Sequence, residues 1–193
     1  MNRDSDITRF ASLPSSVRNA SSALRLGGNI GFWVQVVLGV VAAIILLFSS
    51  AVLGGGETNT QKAGSAFALF CATAGILTLA VSCFFFWRYK KIGRAIQNPN
   101  LTQRPKKQYT IKLVKFGLLA NLTGAFISLI GAEAFAGLLY SKAARIPIGA
   151  AVFDTPRLIE PVEIMLLLGN VHTIFSHFAG IVIGLWLLDR LYK

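Results

Sequence analysis

The chain has 193 residues, 54% of them hydrophobic and 14% charged, with a mean hydropathy of +0.61; soluble domains carry about 25% charged residues, so a soluble globular domain is excluded. The apolar residues lie in long continuous runs that do not alternate, which excludes a membrane β-barrel and leaves membrane-spanning helices. A formal net charge of +11 would suit nucleic acid, but the positive residues gather beside the apolar runs, which indicates an orientation signal and no nucleic-acid partner.

The opening segment MNRDSDITRFASLPSSVRNASSALR has no apolar core followed by a small-residue cleavage site, so no secretory signal is expected. It is short for an organellar transit sequence, although rich in Ser, Ala and Arg, and suits a mature or bacterial-type protein. Phe10, Leu13, Val17, Ala20 and Leu24 recur at helical spacing with arginines elsewhere, and Pro14 stands near a plausible start. This pattern predicts an amphipathic helix on the inner membrane surface.

Four apolar runs follow, roughly 31–53, 64–87, 116–140 and 164–188. Each meets or exceeds the ~20 residues that cross ~30 Å of hydrocarbon as a helix, so residues 1–193 are expected to form one all-α membrane domain with four transmembrane helices. Gly54 to Gly56 read as a turn after the first run. The two cysteines, Cys71 and Cys83, fall on the second, about 18 Å apart along a helix, too far to bridge.

Between Trp87 and Phe116 lie Arg88, Lys90, Lys91, Arg94, Arg104, Lys106, Lys107, Lys112 and Lys115 with no acidic residue, whereas the other two connections are nearly balanced. The positive-inside rule places this connection and both termini on the inner side. Trp33, Trp87, Tyr89, Trp186 and Tyr192 fall near the inner ends of the runs, where aromatic belts form. The residues Arg88, Lys90, Lys91, Arg94, Arg104, Lys106 and Lys107 are candidates for attraction to anionic lipid, at ~1 kcal/mol each near such a surface, or for docking an acidic partner protein.

The third run, GLLANLTGAFISLIGAEAFAGLLY, presents Gly117, Asn121, Gly124, Ser128 and Gly131 on one face, a seam small enough for a neighbouring helix to approach closely. Glu133 lies about 200° away from Gly131 on the helical wheel and about 25 Å into a core of about 30 Å. An acid in the outer third of a membrane either snorkels to the surface or faces a polar interior. The outer loop from Ser141 to Glu163 contains Pro147, Pro156 and Pro161. Its apolar piece Ile146 to Phe153 is too short to span, and reads as a cap over the bundle mouth or a surface turn.

In the fourth run Glu163, Asn170, His177 and Gly184 recur at seven-residue intervals, with Thr173 and Gly180 between them, a stripe too polar for lipid. Gly180 and Gly184 are further packing candidates. Asn170, His172 and Cys71 come to nearly the depth of Glu133, and His177 lies near the midplane. Imidazole, thiolate and carboxylate are transition-metal ligands, so His177, Glu133, His172 and Cys71 form a candidate metal set. Against it stands a plain packing network, in which each histidine bonds to a serine or carbonyl between helices and Cys71 fills space. There is no P-loop, HExxH or CxxC motif, and no enzyme activity or cofactor is expected beyond a transported ion.

The stretches VKFGLLANLTGAFISLIGAEAFAG (Val114 to Gly137) and NVHTIFSHFAGIV (Asn170 to Val182) resemble the four-span membrane family that includes the chloroplast inner-envelope protein described both as an iron permease and as a Tic-type import component, with its cyanobacterial homologues. The likeness covers all four spans in layout and the last two in motif; Ser176-His177-Phe178 followed by Gly180 is its most specific part. The plastid pattern has amides where this chain has Glu133 and His172, which leaves His177 the stronger candidate. The resemblance implies an integral protein of a cyanobacterial plasma or thylakoid membrane, or its plastid inner-envelope equivalent, that transports iron or another divalent metal. The alternative is a non-enzymatic import or assembly factor, or a structural partner of a membrane complex, with other membrane proteins or a second copy as partners.

The inner placement of both termini is testable by thiol labelling in a chain whose own cysteines are replaced. A cysteine substituted for Gln103 should react only from the inner face, and one substituted for Asn59 only from the outer; the opposite pattern would invert the topology.

Overall fold

The computed structural model describes residues 14–52, 59–98, 104–144 and 159–192. Four helices occupy nearly all of them: α1 (Ser15–Val52), α2 (Asn59–Ala95), α3 (Lys107–Ala144) and α4 (Pro161–Tyr192). Each is long and apolar enough to cross a membrane. The boundaries follow proline chemistry. Pro14 precedes α1 and accepts its first bond, Arg18 N to Pro14 O at 3.1 Å. Pro161 is the first residue of α4, where a missing N–H costs nothing and φ is already helical.

Successive helices run antiparallel. Gly28 lies against Lys90 and Gly39 against Leu79, while Gly117, Gly124 and Gly131 meet Tyr89, Thr78 and Cys71 in turn. Each helix packs on its chain neighbours, α4 closes the ring onto α1, and α2 and α4 touch across the shorter diagonal. Two apolar clusters hold the bundle together. One gathers Leu24, Phe86, Tyr89, Val114 and Leu187 at the basic end, the other Leu46, Ala72, Phe135 and Leu166 towards the opposite end.

The distribution of polarity is inverted relative to a soluble bundle. Val37, Ile44, Leu47, Phe70, Leu77, Phe126, Phe175 and Phe178 are exposed on the outside, whereas Gln35, Ser82, Asn121, Asn170, Thr173 and His177 are buried. In water such a surface would be an extended sticky patch; in hydrocarbon it is the solvated face, and the polar groups must find partners inside.

The helices extend well beyond the apolar runs. At 38 residues, α1 and α3 are about 57 Å long against a core of about 30 Å. Three expectations change accordingly. The helix foreseen at Val17 to Leu24 is continuous with α1 and does not lie separately on the membrane surface: Leu24 is buried, and Val17 and Ala20 pack on the cluster at the basic end. It is held there because Ser21 Oγ donates to Gly93 O at 2.7 Å and Gly28 allows α1 to meet the α2 backbone. Phe10 and Leu13 lie outside the described residues. The basic connection is shorter than foreseen, since Arg88, Lys90, Lys91 and Arg94 ride on α2 and Lys107 opens α3. The loop after the third span is also shorter, beginning after Ala144 and ending before Pro161. Pro147, Pro156, Ile146 to Phe153 and the glycines Gly54 to Gly56 are outside the described residues.

A Cβ on Gly28 would lie 2.9 Å from the Lys90 backbone nitrogen and 3.0 Å from the Phe86 carbonyl oxygen, atoms that cannot turn aside. Gly28→Leu is therefore expected to lower thermal stability in detergent by about 1–3 kcal/mol. Gly137→Leu, at a position with nothing within 4 Å, should leave it unchanged; equal losses at both positions would contradict the close α1–α2 approach.

Candidate functional site

A polar network joins all four helices within the apolar bundle. Gln35 of α1 is fully buried. Its Nε2 donates to Asn121 Oδ1 on α3 at 2.6 Å and to the Ser176 carbonyl on α4 at 3.3 Å, and its Oε1 accepts from Ser82 Oγ on α2 at 2.9 Å. Asn121 is fixed in turn, since its Nδ2 donates to Gly117 O one helical turn earlier at 2.9 Å. That bond directs Oδ1 inwards, where it meets both Gln35 and His177.

His177 stands beside this amide pair. Its Nδ1 lies 3.2 Å from Asn121 Oδ1, and its Nε2 lies 3.2 Å from the Gly75 carbonyl and 3.5 Å from Thr78 Oγ1. Both ring nitrogens thus face an oxygen acceptor, and a neutral imidazole can donate from only one of them. The Thr78 hydroxyl could serve Nε2 as a donor, but it also lies 2.8 Å from Gly75 O and 3.1 Å from Ala74 O. The local chemistry is an imidazole ringed by amide, hydroxyl and carbonyl oxygens, a set able to take up a proton or to present oxygen and nitrogen ligands to a passing cation.

Small residues make this convergence possible. Side chains on Gly124, Gly180 or Gly75 would overlap His177, Gln35 with Asn121, or Ser128 respectively. The seam of α3 therefore brings its backbone to α2 and to the His177 ring, while Gly184 of α4 leaves room for Leu118. On the side of His177 away from the basic end the core remains polar. The Ser49, Ser128 and Ser176 hydroxyls and the Asn170 side-chain Oδ1 are buried without a hydrogen-bond partner among the described residues.

The four metal candidates do not meet. Cys71 is buried against Gly131 of α3, one heptad along α3 from Gly124, which meets His177. Glu133 is exposed on the outside of α3, and His172 is partly exposed on α4 with Nδ1 2.9 Å from Leu168 O. His177 alone lies in the polar core. Among the described residues no three His, Cys, Asp or Glu side chains gather as a metal site. Among the described residues the buried carboxylate is Glu163, which accepts from Lys142 Nζ and from the Glu160 backbone N–H at 2.9 Å. One oxygen thus ties α3 to α4 while the other caps the start of α4.

Residue-by-residue reading of the sequence passed over Gln35, the side chain on which the network turns. The signal was present: Gln35 is the single amide in an otherwise apolar run broken only by Ser49 and Ser50 near its end, and isolated polar groups within a span tend to face the bundle interior.

Four apolar-surfaced helices closed around a polar core define an integral membrane protein of the helical-bundle class. The chain belongs to the family described as "Protein of unknown function (DUF3611)", which it matches over residues 14–192. It is also similar to "Protein TIC 21, chloroplastic" of Arabidopsis thaliana, with 28% identity over 188 residues, covering 95% of this chain and 61% of that protein. The chain therefore spans about three-fifths of the length of this relative. No solved structure matches it.

Gln35→Leu and Asn121→Leu should each destabilise the bundle in detergent by about 1–2 kcal/mol, within the range for interhelical hydrogen bonds in membranes. Because each substitution removes the other's partner, the double variant should lose less than the sum. Strictly additive losses would show that the two amides do not interact.

Proposed function

We propose that this protein is a non-enzymatic permease for a divalent metal ion, with iron as substrate, in a cyanobacterial plasma or thylakoid membrane or the plastid inner-envelope equivalent. One observation carries the reading: polar groups from all four helices form one buried network that includes His177 inside a single chain, while the outward surface is apolar. A pathway needs its polar lining inside; a docking platform needs it on an exposed face. Imidazole suits iron among other transition metals, and oxygen donors without a carboxylate favour transient contact over tight retention. The similarity to a protein named as chloroplastic and the sequence resemblance to a family with an iron-permease member support the same assignment. Glu133, His172 and Cys71 are not part of the proposed path.

The second reading is an import or assembly factor. It is favoured by the basic residues Arg88, Lys91, Arg94 and Lys107, which stand on helical extensions beyond the apolar runs and offer a positively charged face to an acidic partner.

Uptake of labelled iron by the purified protein in liposomes decides between them. His177→Gln keeps a polar side chain of similar size but removes the imidazole. It should retain folding and lose at least tenfold of the uptake rate, about 1.4 kcal/mol or more in the barrier, whereas His177→Leu should lose both stability and uptake. Normal uptake by a well-folded His177→Gln protein would remove this residue from the path and favour the import reading.

A further inference from the structure

At the basic end of the bundle a cavity of about 260 Å³ opens between α1, the α2–α3 connection, α3 and α4. Among the described residues its charged lining is Arg104, Lys107 and Arg190, its apolar lining includes the buried side chains of Ile96 and Leu191, and no carboxylate lines it. Three features point to an anion. The cations come from two separate parts of the chain, Arg104 with Lys107 at the entry to α3 and Arg190 at the end of α4, and the fold brings these together. Arg104 is anchored by its Nε–H, which donates to Asn98 O at 2.8 Å, and this leaves its two terminal nitrogens as further donors in a fixed fork. The cavity also includes Lys107 at the start of α3, a helix with no acidic residue in its first turn, so the positive pole of that helix is not neutralised from within.

The apolar lining identifies the kind of anion. A free inorganic ion gains nothing from Ile96 and Leu191, whereas an amphiphile gains from both surfaces. The volume lies just below the ~300–1,000 Å³ typical of drug-sized ligand sites, which suits a headgroup. The place is also right: Trp186 and Tyr192 carry cation–π contacts from Arg190 and Lys115 at 5.8 and 5.9 Å, marking the aromatic and basic zone where lipid headgroups lie.

We propose that this cavity is a specific binding site for the phosphodiester headgroup of an anionic phospholipid, with Arg104, Lys107 and Arg190 holding the phosphate and Ile96 and Leu191 contacting the glycerol and first acyl carbons. This is a built site, distinct from the diffuse attraction that any basic surface has for an anionic bilayer, and it is independent of what the polar core transports.

The full chain in detergent, titrated with phosphatidylglycerol and followed by native mass spectrometry, should bind one lipid with clear preference over phosphatidylcholine. Lys107→Gln with Arg190→Gln should weaken that binding at least tenfold, as expected for loss of charge-assisted hydrogen bonds. Lys112→Gln with Lys115→Gln removes the same charge from exposed positions outside the cavity and should change binding less than about twofold. Helical content and melting temperature without lipid identify any variant that has misfolded; in that case Arg190→Gln alone carries the test, with a loss of at least about threefold expected. Equal losses in the two double variants, equal binding of phosphatidylcholine, or stabilisation by inorganic phosphate as large as that by the lipid would each overturn the proposal.

Discussion

A side-chain amide inside a hydrocarbon-facing bundle has no water to fall back on, and this constraint organises the core. Gln35 meets it by reaching α2, α3 and α4 at once, through Ser82, Asn121 and the Ser176 carbonyl. Because Asn121 is in turn tied to its own backbone at Gly117, the position of Gln35 sets the rotation of α1 relative to α3, two helices that do not otherwise form a major packing pair. The apolar clusters at either end supply cohesion; the amide pair supplies register. His177 inherits its place from that register, since one of its two ring nitrogens addresses the same Asn121 oxygen.

Such a network needs helices closer together than ordinary side chains permit. Glycines of α2, α3 and α4 provide the approach, and Gly75, Gly124 and Gly180 all lie where a methyl group would displace a polar side chain of the core. Close packing and polarity are therefore one feature seen from two sides. The same small residues that admit neighbouring backbones also create the space that histidine and the amides fill.

The number and type of elements were legible because a continuous apolar run longer than the bilayer is thick has only one folded solution. Their ends were not, because hydropathy marks where lipid lies and is silent about where backbone hydrogen bonding stops. Lys90 and Arg94 look like loop residues on a hydropathy scale, yet they continue α2 as far as Ala95, shortly before Asn98, which precedes a proline. For the core, the seven-residue stripe on α4 located His177 and Asn170 on a buried face. Glu133 is the more conspicuous residue, but an acid towards the end of a span can turn away from the bundle, as Glu133 does. The less conspicuous Gln35 has no such escape from its deeper position. Which groups meet across helices depends on rotation, and a single chain's periodicity fixes the faces of one helix without fixing how neighbours are turned.

For the transport reading, the neutrality of the ring around His177 has an electrical meaning. The Asn121 amide oxygen, the Thr78 hydroxyl and the Gly75 carbonyl face the imidazole nitrogens, and none of these partners is a carboxylate. The ring therefore adds no fixed counter-charge to travel with, or hold back, an ion crossing it. A divalent cation crossing such a core alone would carry its full charge through the membrane field, worth about 4.6 kcal/mol for each 100 mV. Membrane voltage would then set the direction of net movement as strongly as a concentration gradient of more than a thousandfold.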